Sequence, residues 1–339
     1  MGNAHRRLLL AGIVVFAGTL LPLKSRVVAD DQPLYGYSAE SSRVERQWEE
    51  KLRAIPSPDN LRAYMQRLSA RPHNVGSPYD KDNAEWIASK FKEFGLDTQI
   101  ETFSVLYPTP KERLVELVDG GPRFTAKLQE PVVPEDPTSD QTAEQLPTYN
   151  AYSIDGDVTA PLVYVNYGLP EDYEILDRLG ISVKGAIIIA RYGHSWRGIK
   201  PQVGAEHGAV GCLIYSDPRD DGYAGGEVFP KGAWRPSEGV QRGSVQDSTV
   251  YMGDPLTPGV GATADAKRIP IAESKSLTKI PVLPISYADA QPLLAAISGR
   301  VAPRTWQGGL AITYHLGPGA AKVHLKMFSN WDMKPLYDV

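Results

Sequence analysis

The sequence is poor in the two residues that most often build metal centres and covalent frameworks. Its 339 residues include one cysteine and six histidines. A single cysteine excludes a disulfide framework and any cysteine-rich zinc or iron–sulfur site. Six histidines restrict metal chemistry that depends on imidazole ligands. The sequence also contains no internal repeat and no low-complexity tract.

The chain also lacks a strong excess of charge of either sign. Its net charge is −4, so nothing in the bulk electrostatics favours a nucleic-acid partner. Hydrophobic residues make up 42% and charged residues 22%, which supports a packed core and excludes wholesale disorder. The 31 glycines and 28 prolines indicate many turns, which argues against a helical bundle. The length allows about two domains.

The first 29 residues resemble a targeting segment rather than part of the fold. Basic residues in Met1–Arg7 precede an uncharged run of 16 residues, Leu8–Leu23. This order is typical of a secretory signal peptide, and Val27 and Ala29 fit a cleavage site after Ala29. The alternative is an uncleaved membrane anchor, although the run is shorter than the ~20 residues of a full span. We predict a signal peptide or anchor over 1–29 and export to the periplasm or medium, with N-terminal membrane anchoring as the alternative.

The next part of the chain is predicted to be helical and then extended. The elements expected here are a linker over 30–42, helices over 43–54, from Asp59 and over 80–94, and a strand over 97–106. Pro108 and Pro110 are expected to break that strand, since proline removes a ladder hydrogen bond.

A βαβ unit is the clearest alternating pattern in the sequence. Lys184–Ala190 and Ala209–Ser216 are apolar runs typical of strands buried on both faces, and residues 198–208 between them suit a helix. Residues 219–279 show no long periodic run and are expected to be a loop-rich excursion. The elements expected afterwards are a strand over Pro281–Ile285, a helix over Ala288–Ile297 and a strand over Gly309–His315. The fold class is therefore α/β.

Two stretches resemble known families. RPHNVGSPYDKDNAEWIASKFKEFGLDTQIETF (71–103) resembles the N-terminal helix and following strand of the zinc aminopeptidase superfamily. KGAIIIARYGHSWRGIKPQVGAEHGAVGCLIYSDP (184–218), followed by GVQRG (239–243) and GDPLTPG (253–259), resembles the protease-associated domain of the glutamate carboxypeptidase II and transferrin receptor family. Isolated, each motif is weak; the ordered set is specific.

This resemblance implies a domain arrangement. Residues 43–106 are expected to be the first segment of a zinc-peptidase α/β domain, interrupted by a β-rich protease-associated domain over 107–318. Residues 319–339 are then the return to the peptidase domain.

The resemblance also implies what is missing. The family carries its zinc ligands, general base and dimerising helical domain further along the chain, and its signature is a His-x-Asp. This sequence contains no His-x-Asp and no His-Glu-x-x-His. We therefore expect this chain to be the N-terminal half of a longer protein, inactive alone, with zinc and homodimer formation belonging to the longer parent.

Four residues take candidate roles from the matching motifs. In the resembling carboxypeptidases, the arginine that matches Arg197 holds the free carboxylate of the substrate, whereas Ser244 replaces a substrate-binding asparagine. Thr257 and Val260 match a stretch that supplies oxygen ligands to a structural calcium ion, with Val260 in place of a tyrosine. The plain alternatives are a surface arginine, a loop serine bonded to its own backbone, and a simple turn at Asp254.

Other reactive side chains have a structural reading that we favour. His73 is expected to order a helix entry, and Cys212 to be a buried inert thiol. The remaining residues in this group are His194, which is close to Arg197, His207 at a helix end, and the tryptophans 196, 234 and 306.

Three functional hypotheses remain open at this stage. The first is the N-terminal part of an exported zinc-dependent metallopeptidase that hydrolyses C-terminal residues, glutamate among them, from peptides with a free C-terminal carboxylate. The second is a non-catalytic binding module of the transferrin receptor type, and the third is a gene fragment. A membrane partner is expected only if the N-terminal segment stays uncleaved.

Overall fold

The computed structural model describes residues 32–339, so the predicted signal peptide or anchor over 1–29 lies outside the described residues. The described residues form six α-helices and nine β-strands. The helices are α1 (Ala39–Arg53), α2 (Pro58–Leu68), α3 (Pro78–Glu93), α4 (Pro170–Arg178), α5 (Ile199–Glu206) and α6 (Tyr287–Ala296). The strands are β1 (Glu101–Asp119), β2 (Phe124–Thr125), β3 (Asn150–Ala151), β4 (Gly156–Tyr164), β5 (Ile187–Arg191), β6 (Gly211–Tyr215), β7 (Gly243–Ser244), β8 (Val282–Ile285) and β9 (Lys322–Asp338).

The chain separates into two compact units, Met1–Tyr64 and Met65–Val339. The described part of the first unit is largely α1, which begins at the N-cap Ser38, whose hydroxyl accepts a hydrogen bond from the Ser41 amide. The apolar side chains of Trp48 and Leu52 in this helix are exposed. None of the helices within residues 32–339 is long and apolar enough to cross a membrane.

The second unit is built on a seven-stranded mixed sheet. Its strand order is β2-β1-β9-β4-β5-β6-β8. The β1, β9 and β4 pairs are antiparallel, whereas β4, β5, β6 and β8 are parallel. The predicted α/β class is confirmed, and the predicted βαβ unit is present as β5, α5 and β6. A separate parallel pair, β3 with β7, lies outside the large sheet.

The core is centred on the parallel strands. Every residue of β5, β6 and β8 is buried, as expected for strands that are covered on both faces. Helices α4 and α6 contribute Tyr173, Leu176, Leu293 and Leu294 to the same apolar cluster. These strands therefore form a rigid platform beneath the loops that leave their carboxyl ends.

The expected break of the first strand at Pro108 and Pro110 is wrong. Strand β1 continues through both prolines and pairs with β9 over nearly its whole length. The backbone amides of the neighbouring even-numbered residues, Ser104 and Leu106, point away from β9, toward Ala262 and Asp254. Both prolines share this outward side, so no ladder hydrogen bond is lost.

Two other local expectations also differ from the structure. Helix α3 begins at the N-cap Ser77 followed by Pro78, rather than at an aspartate, because the serine hydroxyl caps the Asp80 amide. Residues 309–315 do not form a strand and make only an isolated bridge between His315 and Val301. The stretch 219–279 is irregular, as expected, apart from short elements that include β7.

Candidate functional site

Arg197 lies in the loop that leaves the carboxyl end of β5 and enters α5. Loops at this edge of a parallel sheet commonly carry binding residues, because the sheet beneath them is rigid. The Arg197 Nη1 donates a hydrogen bond to the Ser244 carbonyl at 3.2 Å. The Arg197 Nε is buried and has no hydrogen-bond partner among the described residues. The guanidinium is thus held in place while one of its donors is unused.

A glycine provides the surface on which this guanidinium lies. Gly243 has a φ of +133°, and a Cβ added there would meet the Arg197 Nη1 at 2.5 Å. Only glycine combines that backbone conformation with so close an approach. The contact joins residues that lie 46 positions apart in the sequence.

The short parallel pair β3–β7 fixes Gly243 and Ser244. Asn150 is opposite Gly243, and its Nδ2 donates to the Gly243 carbonyl and to the Tyr192 hydroxyl, both at 3.1 Å. The Tyr192 hydroxyl donates in turn to the Gln241 carbonyl at 2.9 Å. Burial raises the pKa of Tyr192 to about 12, so its hydroxyl keeps the proton that this bond requires.

A buried lysine fixes the first half of the Arg197 loop. The Lys200 Nζ donates to the Tyr167 carbonyl at 2.6 Å and to the Gly193 carbonyl at 3.2 Å. The side chain is fully buried, and burial lowers the pKa of its ammonium to about 8. Lys200 therefore connects two loops through hydrogen bonds from its ammonium, although burial of that charge is energetically unfavourable.

A second buried cation supports the same loop from below. Arg191 ends β5, is 1% exposed, and hydrogen-bonds the Asn166 side chain and Asp220, the latter at 3.2 Å. Its guanidinium stacks on the Tyr167 ring at 4.0 Å from the ring centre. His194 covers the Tyr167 ring as well, at 4.0 Å between ring centres. Burial raises the pKa of Tyr167 to about 12.

Sequence reasoning missed this supporting set. Lys200 and Asn150 carried no motif of their own. The available signal was a charged residue, Lys200, in the first turn of the short helix that joins two apolar strands.

Ser244 lines a cavity of about 640 Å³. We name it the Ser244 cavity. Its hydroxyl accepts a hydrogen bond from the Gln246 amide at 3.1 Å, which matches the plain reading of a loop serine. The polar and aromatic side chains that line the cavity with it include Tyr107, Tyr149, Tyr152, Arg242, Glu130 and His73. Arg242 pairs with Glu130 at 2.5 Å.

Thr257 and Val260 lie in one turn. The Thr257 hydroxyl donates to Asp254 at 3.1 Å, and the same carboxylate accepts from the Leu106 amide in β1 at 2.7 Å. Val260 is exposed. Within residues 32–339, no group of three or more His, Cys, Asp or Glu side chains is placed to hold a metal ion. The expected absence of the zinc ligands and the calcium role of this turn both stay predictions.

The remaining candidates have ordinary structural contacts. His207 stacks on Tyr173, with 4.3 Å between ring centres, at the end of α5. Cys212 is fully buried in β6, and burial raises its pKa. Trp306 is buried and packs edge-on against Tyr164, whereas Trp234 is 38% exposed.

The class of domain around this site is shown by a family model. The PA domain matches residues 158–247, a range that contains the βαβ unit, Arg197 and Ser244. The match lies inside the range 107–318 expected for this domain, whose outer boundaries stay a prediction.

Relatives of known name match a longer part of the chain. A glutamate carboxypeptidase 2 homolog from Caenorhabditis briggsae is 38% identical over 276 residues, which cover 77% of this chain and 35% of that protein. A probable glutamate carboxypeptidase from Arthroderma benhamiae is 40% identical over 246 residues, covering 69% and 33%. Aminopeptidase NAALADL1 from Rattus norvegicus is 36% identical over 269 residues, covering 76% and 35%.

The resemblance to the glutamate carboxypeptidase family is thereby confirmed. The chain spans about a third of the length of these relatives. Among solved structures, an aminopeptidase from Aneurinibacillus sp. strain AM-1 aligns with 83% of this chain and 46% of its own, at 18% identity. The TM-score of this alignment is 0.41.

Proposed function

We propose that this chain is the substrate-binding part of an exported zinc-dependent metallopeptidase of the glutamate carboxypeptidase type, which releases C-terminal residues from peptides. The observation that supports this most is the Arg197 guanidinium, which lies on Gly243 with a buried and unused Nε donor. The relatives named as glutamate carboxypeptidases also support a peptidase function.

The chemistry of Arg197 suits a carboxylate ligand. A guanidinium presents paired N–H donors that match the two oxygens of a carboxylate, and it stays charged at any physiological pH. Because the guanidinium is already fixed by the Ser244 carbonyl and Gly243, little side-chain entropy is lost on binding. In this proposal the free C-terminal carboxylate of a peptide accepts hydrogen bonds from the Arg197 guanidinium.

Ser244 bears on which residue is released. The family has an asparagine at this position, and serine is shorter and lacks the two amide donors. We therefore propose a preference for C-terminal glutamate that is less strict than an asparagine would give.

The catalytic metal is proposed to belong to the rest of a longer protein. No step of hydrolysis is assigned to the described residues, because no group of three or more His, Cys, Asp or Glu side chains among them is placed to hold a metal ion. When bound in such a protein, zinc supplies an activated water for attack on a peptide carbonyl. Calcium binding near Thr257 and Val260, and homodimer formation, are likewise proposed only for that longer protein.

The proposal is tested on the native protein isolated from its host. We expect release of C-terminal glutamate that stops on removal of zinc and returns when zinc is restored. An Arg197→Gln variant should raise the KM for substrates with a free C-terminal carboxylate. Fully folded protein that takes up no zinc and releases no residue would contradict the proposal, and would favour the non-catalytic binding module.

A further inference from the structure

A second cavity lies next to the Ser244 cavity and has a different character. It has a volume of about 500 Å³, within the usual range for ligand sites. We name it the Trp234 cavity. The side chains on which the argument rests are Trp234, Phe229, Glu130, Asp136, Asp221 and Arg235.

Trp234 is held rigidly although it is exposed. Its indole lies against the backbone of Gly225 and Gly226, where an added Cβ at Gly225 would collide with the ring. Its backbone is fixed on both sides, because its amide donates to the Glu227 carbonyl and its carbonyl accepts from the Phe229 amide at 2.8 Å. One face of the ring is thus covered by glycine backbone, and 38% of the residue remains open.

The charges around the ring are predominantly negative. Three carboxylates, those of Glu130, Asp136 and Asp221, line the cavity with a single cation, Arg235. Arg235 is paired with Asp221 at 2.7 Å, and Glu130 is paired with Arg242 at 2.5 Å. Among the described residues, Asp136 is therefore the lining carboxylate without an ion-pair partner. No lysine or arginine within residues 32–339 stacks on the Trp234 ring.

A partly exposed indole in a cavity that also contains the unpaired Asp136 carboxylate suits a cationic group. Tryptophan is the strongest aromatic partner for a cation, and the interaction contributes about 0.5–2 kcal/mol. The Asp136 carboxylate adds an attraction for positive charge and a repulsion for negative charge.

We propose that the Trp234 cavity binds the cationic side chain of a peptide, an arginine guanidinium or a lysine ammonium. The peptide is favoured over a free small cation because the cavity adjoins the Ser244 cavity, with which it shares the lining residues Glu130, Thr138 and Gln145. Cation binding stands on this cavity alone. Only the idea that the same peptide reaches Arg197 with its C-terminus rests on the proposed function.

The test uses the chain as given and two small probes of matched shape. Nα-acetyl-arginine amide carries the cation, and Nα-acetyl-citrulline amide is its neutral counterpart. Each is titrated while the tryptophan indole N–H signals are followed by NMR, and the Trp234 signal is identified by its loss in Trp234→Phe. We expect the arginine probe to shift the Trp234 signal with an affinity about tenfold higher than the citrulline probe.

Variants separate the ring from the charge. Trp234→Leu should weaken arginine binding by about twofold to thirtyfold, the range that the cation–π energy gives. Trp234→Phe should lose less, and Arg235→Gln should strengthen binding because it removes the competing cation. Trp48→Phe, on an exposed helix in the other unit, is the control that should change nothing.

The outcomes are distinguishable from failure of the proposed function. Neither probe has a free carboxylate, so Arg197→Gln should leave their binding unchanged. Equal affinities for arginine and citrulline, or unaltered arginine binding in a folded Trp234→Leu protein, would overturn the proposal even if peptide hydrolysis were established.

Discussion

Arg197 and Trp234 are built in the same way and differ in what surrounds them. Each is a large side chain laid on glycine backbone, Arg197 on Gly243 and Trp234 on Gly225. The Arg197 guanidinium donates to the Ser244 carbonyl, and no carboxylate within residues 32–339 is among its hydrogen-bond partners. Trp234 is 38% exposed and lines a cavity that also contains the side chains of Glu130, Asp136 and Asp221.

The same structural feature, a large side chain packed on glycine backbone, occurs at two sites for which we propose ligands of opposite charge. Glycine allows close approach, so a bulky side chain is positioned by backbone rather than by flexible neighbours. The surroundings then decide the ligand. We propose an anionic ligand for Arg197 and a cationic ligand for Trp234. A peptide with a C-terminal carboxylate and a basic side chain would satisfy both.

The largest expected effect comes from adding a side chain at Gly243, the glycine that contacts the Arg197 guanidinium. Gly243→Ala adds a Cβ at a φ of +133° and displaces the guanidinium. We expect the free energy of unfolding to fall by about 3 kcal/mol, measured by urea denaturation, because backbone strain and overpacking add. Gly253→Ala is the matched control, since it has a φ of +91° and open space around the added Cβ. An equal loss in both variants would show that strain alone matters.

The next effect concerns the lysine that ties the Arg197 loop to its neighbour. The pKa of Lys200 is about 8 in the folded chain, below its ordinary value of 10.5. Between these pH values the unfolded chain holds a proton that the folded chain has released, so folding becomes more favourable as pH rises. Relative to Lys200→Met, the native chain should therefore gain up to about 3 kcal/mol of stability between pH 8 and 10.5.

The same denaturation series checks that sign. Below pH 8 Lys200 carries its ammonium in both the folded and the unfolded states of the native chain. The difference in the free energy of unfolding between the native chain and Lys200→Met should therefore not change with pH in this range. A difference that stays constant up to pH 10.5 would contradict the assigned pKa.

A smaller effect is expected at Gly225, the glycine on which the Trp234 ring lies. Gly225→Ala should tilt the Trp234 indole and lower the affinity for Nα-acetyl-arginine amide by about fivefold, within the cation–π range. The measurement is the NMR titration described above. Gly261→Ala, where an added Cβ makes only an ordinary contact with Phe103 at 3.6 Å, is the control. Identical affinities in Gly225→Ala and Gly261→Ala would show that Gly225 does not position the Trp234 ring for binding.

The smallest effect is expected from restoring the family residue at position 244. Ser244→Asn supplies two amide donors to the Ser244 cavity, in a partly exposed setting where hydrogen bonds are weak. Binding of a peptide with C-terminal glutamate should improve by about threefold, measured by calorimetry, whereas a peptide with C-terminal alanine should not change. An equal gain in affinity for both peptides would show that residue 244 does not discriminate between the C-terminal side chains.

Much of the fold is predictable from the sequence because it depends on local patterns. The strands β5 and β6 are continuous apolar runs, and α3 has its cap and periodic face within a few residues. The path of β1 through Pro108 is not predictable in this way, because it depends on which side of the strand pairs with β9.

The candidate site divides along the same line. Arg197 and Ser244 are found by motif, whereas their supports depend on contacts between distant segments. Gly243 is 46 positions from Arg197, and Asn150 reaches Gly243 only through the pairing of β3 with β7. The Lys200 contacts likewise require the folded loops, since its partners are backbone carbonyls that any sequence offers.

The most direct test of the central claim is a binding measurement that isolates the carboxylate. Two peptides ending in the same glutamate, one with a free C-terminus and one amidated, are titrated while the Arg197 Nε–H signal is followed by NMR. We expect that only the free carboxylate shifts this signal. We also expect that the difference in affinity between the two peptides, measured by calorimetry, becomes smaller in Arg197→Lys because a lysine lacks the paired donors. Equal response to both peptides, or an Arg197 signal that neither peptide moves, would contradict the proposed binding of the carboxylate by Arg197.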